Sequence, residues 1–285
     1  MIEPIRRSFV SQRLSLNAVE WPNPGKPVLV LVHGALDHAR SWDWTVQALA
    51  DDWHIVAPDL RGHGDSDWAG DYSMHGFVAD LVALIDEIGE AQVTLVGHSL
   101  GGNIAIRYSA LFPDSVRKLV AIEGLGPSPA MLAEREADGF ENRLRKWIAD
   151  AQRAATSTTW SYPSVEDATE RMIAANKHLS TEQAHHLTRH GVRADAGGNV
   201  SWKFDPLMRV WTPVDLTPGQ IEALWAQIRC PTLLCYGAES WASNPADDGR
   251  AAHFGDARVR LFDKAGHWLH LDNFDAFITE LRGFL

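Results

Sequence analysis

Cysteine is nearly absent. Cys230 and Cys235 are the only two among 285 residues, too few for a disulfide framework. They flank one apolar run and read as buried thiols. No apolar window approaches the roughly 18 residues that a membrane-crossing helix requires. Met1 to Leu14 carries Arg6, Arg7 and Arg13 with no apolar stretch behind them, so no secretory signal is expected and the cytoplasm is the expected compartment. Basic residues are in deficit, 26 Lys and Arg against 37 Asp and Glu, for a formal net charge of −11. Such a surface repels phosphate backbones and anionic lipid, so neither nucleic acid nor membrane is an expected partner. No lysine follows the glycine-rich stretch Gly97 to Gly102, which excludes a P-loop. Gly62 and Gly64 lack the third glycine of a dinucleotide fingerprint. No His/Cys cluster has zinc spacing. His186 and His190 share a helical face, but no carboxylate–histidine motif accompanies them, and they read as solvated. No metal or cofactor is therefore expected, and no internal repeat or low-complexity tract is present.

What remains is an ordinary folded composition, 45% apolar and 22% charged. A chain of this length buries enough surface to need no staple. Val28 to Val32 is a continuous apolar run between Pro27 and His33-Gly34, which suits a strand covered on both faces. His54 to Ala57, Val93 to Val96, Leu119 to Ile122, Thr232 to Cys235 and Val259 to Phe262 read as further strands. Ser73 is an N-cap candidate for a helix bearing Phe77, Leu81, Leu84, Ile85 and Ile88 and ending at Gly89. Asn103 to Leu111 and Phe274 to Phe284 read as helices. This alternation implies an α/β fold, a mostly parallel central sheet with helices on both faces.

Between Pro127 and Trp225 the alternation stops and no strong strand appears. Leu144, Trp147, Ile148 and Ala151 share one helical face, as do Val165, Ala168, Met172 and Ile173. The expected organisation is a core of residues 1–126 and 226–285 with a helical insertion of 127–225. Five tryptophans lie in the insertion: Trp147, Trp160, Trp202, Trp211 and Trp225. Some are expected to roof a site and about three to knit the insertion's own core.

The strongest chemical signal is Gly97-His98-Ser99-Leu100-Gly101, placed directly after a buried strand and before a helix. A serine on so sharp a turn sits in a strained backbone. The flanking glycines are required where a side chain would strike neighbouring backbone. The helix behind the turn favours negative charge that develops at the serine. Ser99 is therefore the candidate nucleophile. A serine hydroxyl needs a base, and His267, in Ala265-Gly266-His267-Trp268 after the last strand, is positioned to reach the sheet's C-terminal edge. His270, further on, reads as a polar rim residue.

Four segments together resemble the α/β-hydrolase superfamily with a helical cap. They are His33-Gly34, Pro58-Asp59-Leu60-Arg61-Gly62-His63-Gly64-Asp65-Ser66, the turn at Ser99, and Gly266-His267. The stretch from His33 through Asp43 is most similar to the serine hydrolase-like branch. The resemblance covers the core; the insertion matches in length, place and helical character alone. It implies an oxyanion hole made by the backbone N–H groups of Ala35 and Leu100, worth roughly 10²–10³ in rate per donor. It also implies that His33 is structural and that the Arg61 to Asp65 loop braces the oxyanion loop. His98, Leu36 and Trp268, neighbours of these groups, are the candidates for touching substrate.

The acid departs from the family's usual pattern. Its ordinary seat, three residues after Gly237, is held by Ser240. A subset of the family places the acid at the end of the strand after the nucleophile helix, which here is Glu123. Glu239 is the alternative acid. The resemblance implies a cofactor-free serine hydrolase acting on a small or medium apolar carboxylic ester. Hydrolysis of a C–C, thioester or lactone bond, or perhydrolysis, could use the same groups. A non-catalytic ligand-binding protein on the same fold is the alternative from another class. The serine nucleophile argues against haloalkane dehalogenases and epoxide hydrolases of this fold, which attack with aspartate. Oligomeric state is unspecified.

Overall fold

The computed structural model describes residues 3–285. The first two residues of the Met1 to Leu14 stretch considered above lie outside it. The chain opens with an antiparallel hairpin, β1 (Ile5–Ser11) and β2 (Leu14–Trp21), which the sequence pattern did not reveal. β1 lies at the sheet edge and is largely exposed, with Arg6 and Arg7 interrupting any apolar run. Then follow β3 (Val28–Val32), α1 (Asp43–Leu49), β4 (His54–Pro58), α2 (Met74–Ile88), β5 (Val93–His98), α3 (Leu100–Leu111) and β6 (Val116–Ile122).

Residues 123–231 leave the sheet. They form α4 (Pro129–Ala137), α5 (Phe140–Ala155), β7 (Ser161–Tyr162), α6 (Val165–Ala175), α7 (Thr181–Gly191), β8 (Val192–Ala194), β9 (Val200–Trp202) and α8 (Pro218–Trp225). The chain returns through β10 (Thr232–Gly237), β11 (Ala257–Phe262), α9 (Leu269–Asp272) and α10 (Phe274–Phe284). Within the insertion, where no strong strand was expected, β7, β9 and β8 make a small antiparallel sheet. Strands of two or three residues are too short to display a period.

The main sheet has the order β1-β2-β4-β3-β5-β6-β10-β11. β1, β2 and β4 pair antiparallel; from β4 through β3 to β11 every pair is parallel. Alternation along β3 serves two cores. Val28, Val30 and Val32 join the layer under α2 and α3, while Leu29 and Leu31 join the layer that holds Trp42 and Phe277. Every residue of β3 is buried, which is why its sequence is an unbroken apolar run.

Ser73 is the residue before α2, yet its side chain does not cap the helix; its Oγ lies 3.0 Å from His75 Nε2. Gly89 ends the helix at φ 78°, a left-handed turn that favours glycine. Both cysteines are buried free thiols, and burial raises the Cys230 pKa to about 11. No helix among the described residues is long and apolar enough to cross a membrane.

The insertion's tryptophans divide differently from expectation. Trp225 packs in the main core with Ile228 and Phe254, because α8 lies against α3. Trp211 is exposed, and Trp147 is half-buried on α5, a helix with no fully buried residue. Trp202 packs in the insertion's own small cluster with Ala168, Val192 and Val200.

Candidate active site

Strand order reverses around β3. β4 lies on one side of it and β5 on the other. In a parallel sheet such a reversal opens a crevice at the strands' carboxyl ends. The chain leaves β3 there through Gly34 and Ala35, and leaves β5 through Ser99.

Ser99 holds φ 51° and ψ −114° between β5 and α3. This is a strained conformation for a residue with a side chain. Two close approaches enforce the turn. A Cβ on Gly97 would stand 2.4 Å from the Gly101 carbonyl oxygen, and one on Gly101 would stand 2.2 Å from that of Val32. The Ser99 N–H donates to the Ile122 carbonyl at 2.7 Å, tying the turn to β6. Among the described residues, neither the Leu100 N–H nor the Ala35 N–H meets an internal acceptor, so both donors remain available.

The loop carrying Ala35 is braced from behind. The Leu36 N–H donates to His63 Nε2 at 3.0 Å, and His63 Nδ1 donates to the Arg61 carbonyl at 2.9 Å. His33 Nδ1 donates to the Gly34 carbonyl at 2.7 Å, while its Nε2 accepts from the Leu60 N–H at 3.0 Å. Each ring is a neutral donor–acceptor link, and burial lowers both pKa values to about 3. His33 and the Arg61 to Asp65 loop thus occupy structural positions, as expected. Arg61 is itself held by Asp80 in a buried fork of two 2.6 Å contacts.

His267 follows β11 and faces Glu123. Its Nδ1 lies in hydrogen-bond contact with Glu123 Oε2, leaving Nε2 free. Glu123 directly follows β6, has no exposed side-chain surface, and also sits at positive φ, 49°. A buried carboxylate is costly unless its oxygens are satisfied. Here Oε1 accepts from the Gly237 N–H at 2.9 Å and Oε2 from the Ser240 hydroxyl at 2.6 Å. Ser240, in the seat where the resemblance would place the acid, is therefore a donor to the Glu123 carboxylate. Glu239 stands apart: it is largely exposed, with its nearest ionic partner His178 at 3.7 Å.

Two expectations are corrected. His98 does not touch the substrate space. It is buried, and its Nε2 donates to the His267 carbonyl at 3.0 Å. Burial first, then the neighbouring His270 and His267, drive its pKa well below the ordinary range. Its position directly before Ser99 put the ring on the inward side of the turn. His270 is not a rim residue either. It is buried against His98, with ring centroids 4.6 Å apart, and against Trp42, at 4.8 Å. The one-turn helix α9 carries it inward. The rings of His98 and His267 are 4.8 Å apart, which brings the Ser99 turn and the imidazole together as neighbours.

A cavity of about 980 Å³ opens beside His267. Ala35, Leu36 and Trp268 line it, with Ser240 and His267. Trp160, Tyr162, Met172, Trp202 and Phe204 line it from the insertion. Trp241, which the sequence reading missed, packs its ring 5.0 Å from that of His267. It lies beside Ser240, so the displaced acid was the one signal that pointed toward it.

The family model for the alpha/beta hydrolase fold matches residues 27–274. The chain belongs to the α/β-hydrolase family. Among its relatives is a serine hydrolase-like protein of Danio rerio, 29% identical over 276 residues, covering 93% of this chain and 82% of that protein. An esterase of Mycobacterium tuberculosis is 28% identical over 280 residues, covering 95% and 86%. Among solved structures, the thioesterase domain from the curacin biosynthetic pathway superposes with a TM-score of 0.85 at 25% identity, covering 98% of this chain and 99% of that one. This α/β-hydrolase is therefore a hydrolase, similar to proteins named as an esterase and as a thioesterase domain.

Proposed function

We propose that the protein is a cofactor-free serine hydrolase that cleaves carboxylic esters through an acyl-enzyme. The observation that carries this reading is the contact between His267 Nδ1 and the fully buried Glu123 carboxylate, beside a serine on a strained turn. Glu123 holds one tautomer of the imidazole, with the free Nε2 as base. Nε2 takes the Ser99 proton as the hydroxyl attacks the ester carbonyl. The N–H groups of Ala35 and Leu100 receive the oxyanion. His267 then returns the proton to the leaving alcohol, and water repeats the cycle on the acyl-enzyme. The inserted segment acts as a cap, and its aromatic wall favours an apolar group on the substrate. At about 980 Å³ the cavity supports medium rather than the smallest esters.

Thioester cleavage is the second reading, favoured by the likeness to the thioesterase domain. The test is direct. Ser99→Ala is expected to abolish hydrolysis of p-nitrophenyl esters and labelling by a fluorophosphonate. An unlabelled wild-type protein, or an active variant, ends the proposal. A thioester turned over with higher kcat/KM than the matched oxoester shifts it to the second reading.

A further inference from the structure

Away from Ser99, three ligand-type side chains meet at the seam between core and cap. We propose that Asp43, His186 and His190 form a binding site for one divalent transition ion of the Zn²⁺, Co²⁺ or Ni²⁺ type, which clamps α7 to α1. Each residue offers one ligand atom, the three atoms lie within 4.8 Å of one another, and all three residues are half-buried. His186 and His190 are four residues apart on α7, so their rings share a face, with centroids 4.7 Å apart. His186 Nε2 is 3.1 Å from Asp43 Oδ2. Two ligands each about 2.0–2.1 Å from a tetrahedral ion stand about 3.3 Å apart. Two imidazoles and one carboxylate suit borderline transition ions rather than Mg²⁺ or Ca²⁺, and three protein ligands leave a fourth position for water.

The surroundings support the same reading. The Trp44 ring packs 4.6 Å from that of His186 and shields the site. His38 stands behind, its ring 6.4 Å from that of His190. Its Nε2 donates to the Leu187 carbonyl of α7 at 2.9 Å, while its buried Nδ1 has no hydrogen-bond partner among the described residues.

Two contacts of Arg40 compete with the ion: its carbonyl accepts from His186 Nε2 at 3.2 Å, a proton the ion would displace, and its guanidinium holds Asp43. Arg40 forks onto Asp43, with Nε 2.8 Å from Oδ1 and Nη2 2.6 Å from Oδ2. About a third of the Arg40 side chain is exposed, so it can swing out. The ion would take Oδ2 from the guanidinium and replace a salt bridge within the core by a bond that spans core and cap. The Arg40 and ion-bound states therefore exclude each other at Oδ2.

This competition makes the site testable. Protein stripped with a chelator is titrated with Co²⁺, read by its visible absorption, and with Zn²⁺, read by calorimetry. One equivalent should bind per chain, with a rise in Tm. His186→Ala and His190→Ala should each weaken binding about 100-fold or more, since even the loss of an outer partner costs about 10–100-fold. His190→Gln, which keeps a polar helix former, should lose as much, with circular dichroism reporting that each variant is folded. Arg40→Ala should bind the ion more tightly. Absence of binding by the wild-type protein overturns the proposal. So does affinity unchanged in the histidine variants, or binding that weakens in Arg40→Ala.

Discussion

Ser99 and Glu123 both carry side chains at positive φ, where L-residues other than glycine are rare. Strain of this kind persists only where the surroundings over-determine it, and it concentrates at functional positions. At Glu123 the carboxylate lies between the end of β10, at Gly237, and His267. Glu123→Gln keeps the shape but presents an amide to Nδ1 and disturbs the tautomer. We expect kcat to fall about 10⁴-fold, the scale of the corresponding change in the serine-protease triad. Glu239→Gln should leave it unchanged, and steady-state kinetics on one ester compares them. His270 poses a separate question. Neither of its ring nitrogens has a hydrogen-bond partner among the described residues, though the ring is buried. His270→Leu removes two unsatisfied polar atoms and should raise stability by about 1–3 kcal/mol in urea denaturation. A loss of stability would contradict this account.

At the level of elements, the turn from β5 into α3 is set by backbone contact. α3 begins so close to β3 that Gly101 has no room for a methyl group. Gly101→Ala must push the helix off the strand. It is expected to cost about 1–3 kcal/mol or more, as overpacking does, and to displace the Leu100 N–H from the place proposed for it in the oxyanion hole. Thermal melts and kcat together would check this; an unperturbed variant would refute the close approach. The same elements explain what was legible. β3 and β5 are buried along their whole length, so their apolar runs stand out. β1 alternates with exposed arginines at an edge, and β7 to β9 are too short to show a period. The helices of the insertion were visible, but α5 buries no residue fully, and α8 surrenders Trp225 to the main core.

For the whole molecule, His33, His63 and His270 form a buried set of imidazoles whose pKa values burial lowers to about 3. The unfolded chain binds these protons at about 6.5, so between the two values it holds more protons than the native state. Stability is therefore full above about pH 6.5 and is lost as pH falls toward 3, with a slope of about 1.4 kcal/mol per pH unit for each group. Asp37 and Asp272, both raised by burial, oppose this with two groups. Tm is expected to be lower at pH 5 than at pH 7, and a flat profile would contradict the burial argument.

The sequence alone determined the α/β class and the Ser99 turn, and it pointed to His267, because each is written in a short contiguous stretch: a buried strand, a glycine-flanked turn, a helix. Tertiary structure alone decided which carboxylate meets His267, since Glu123 lies 144 residues away and Ser240 left the usual seat without an acid. It also turned His98 and His270 inward and brought Asp43 to His186. Spacing along a chain encodes local conformation. Pairings across the molecule exist only after packing has fixed where each side chain ends.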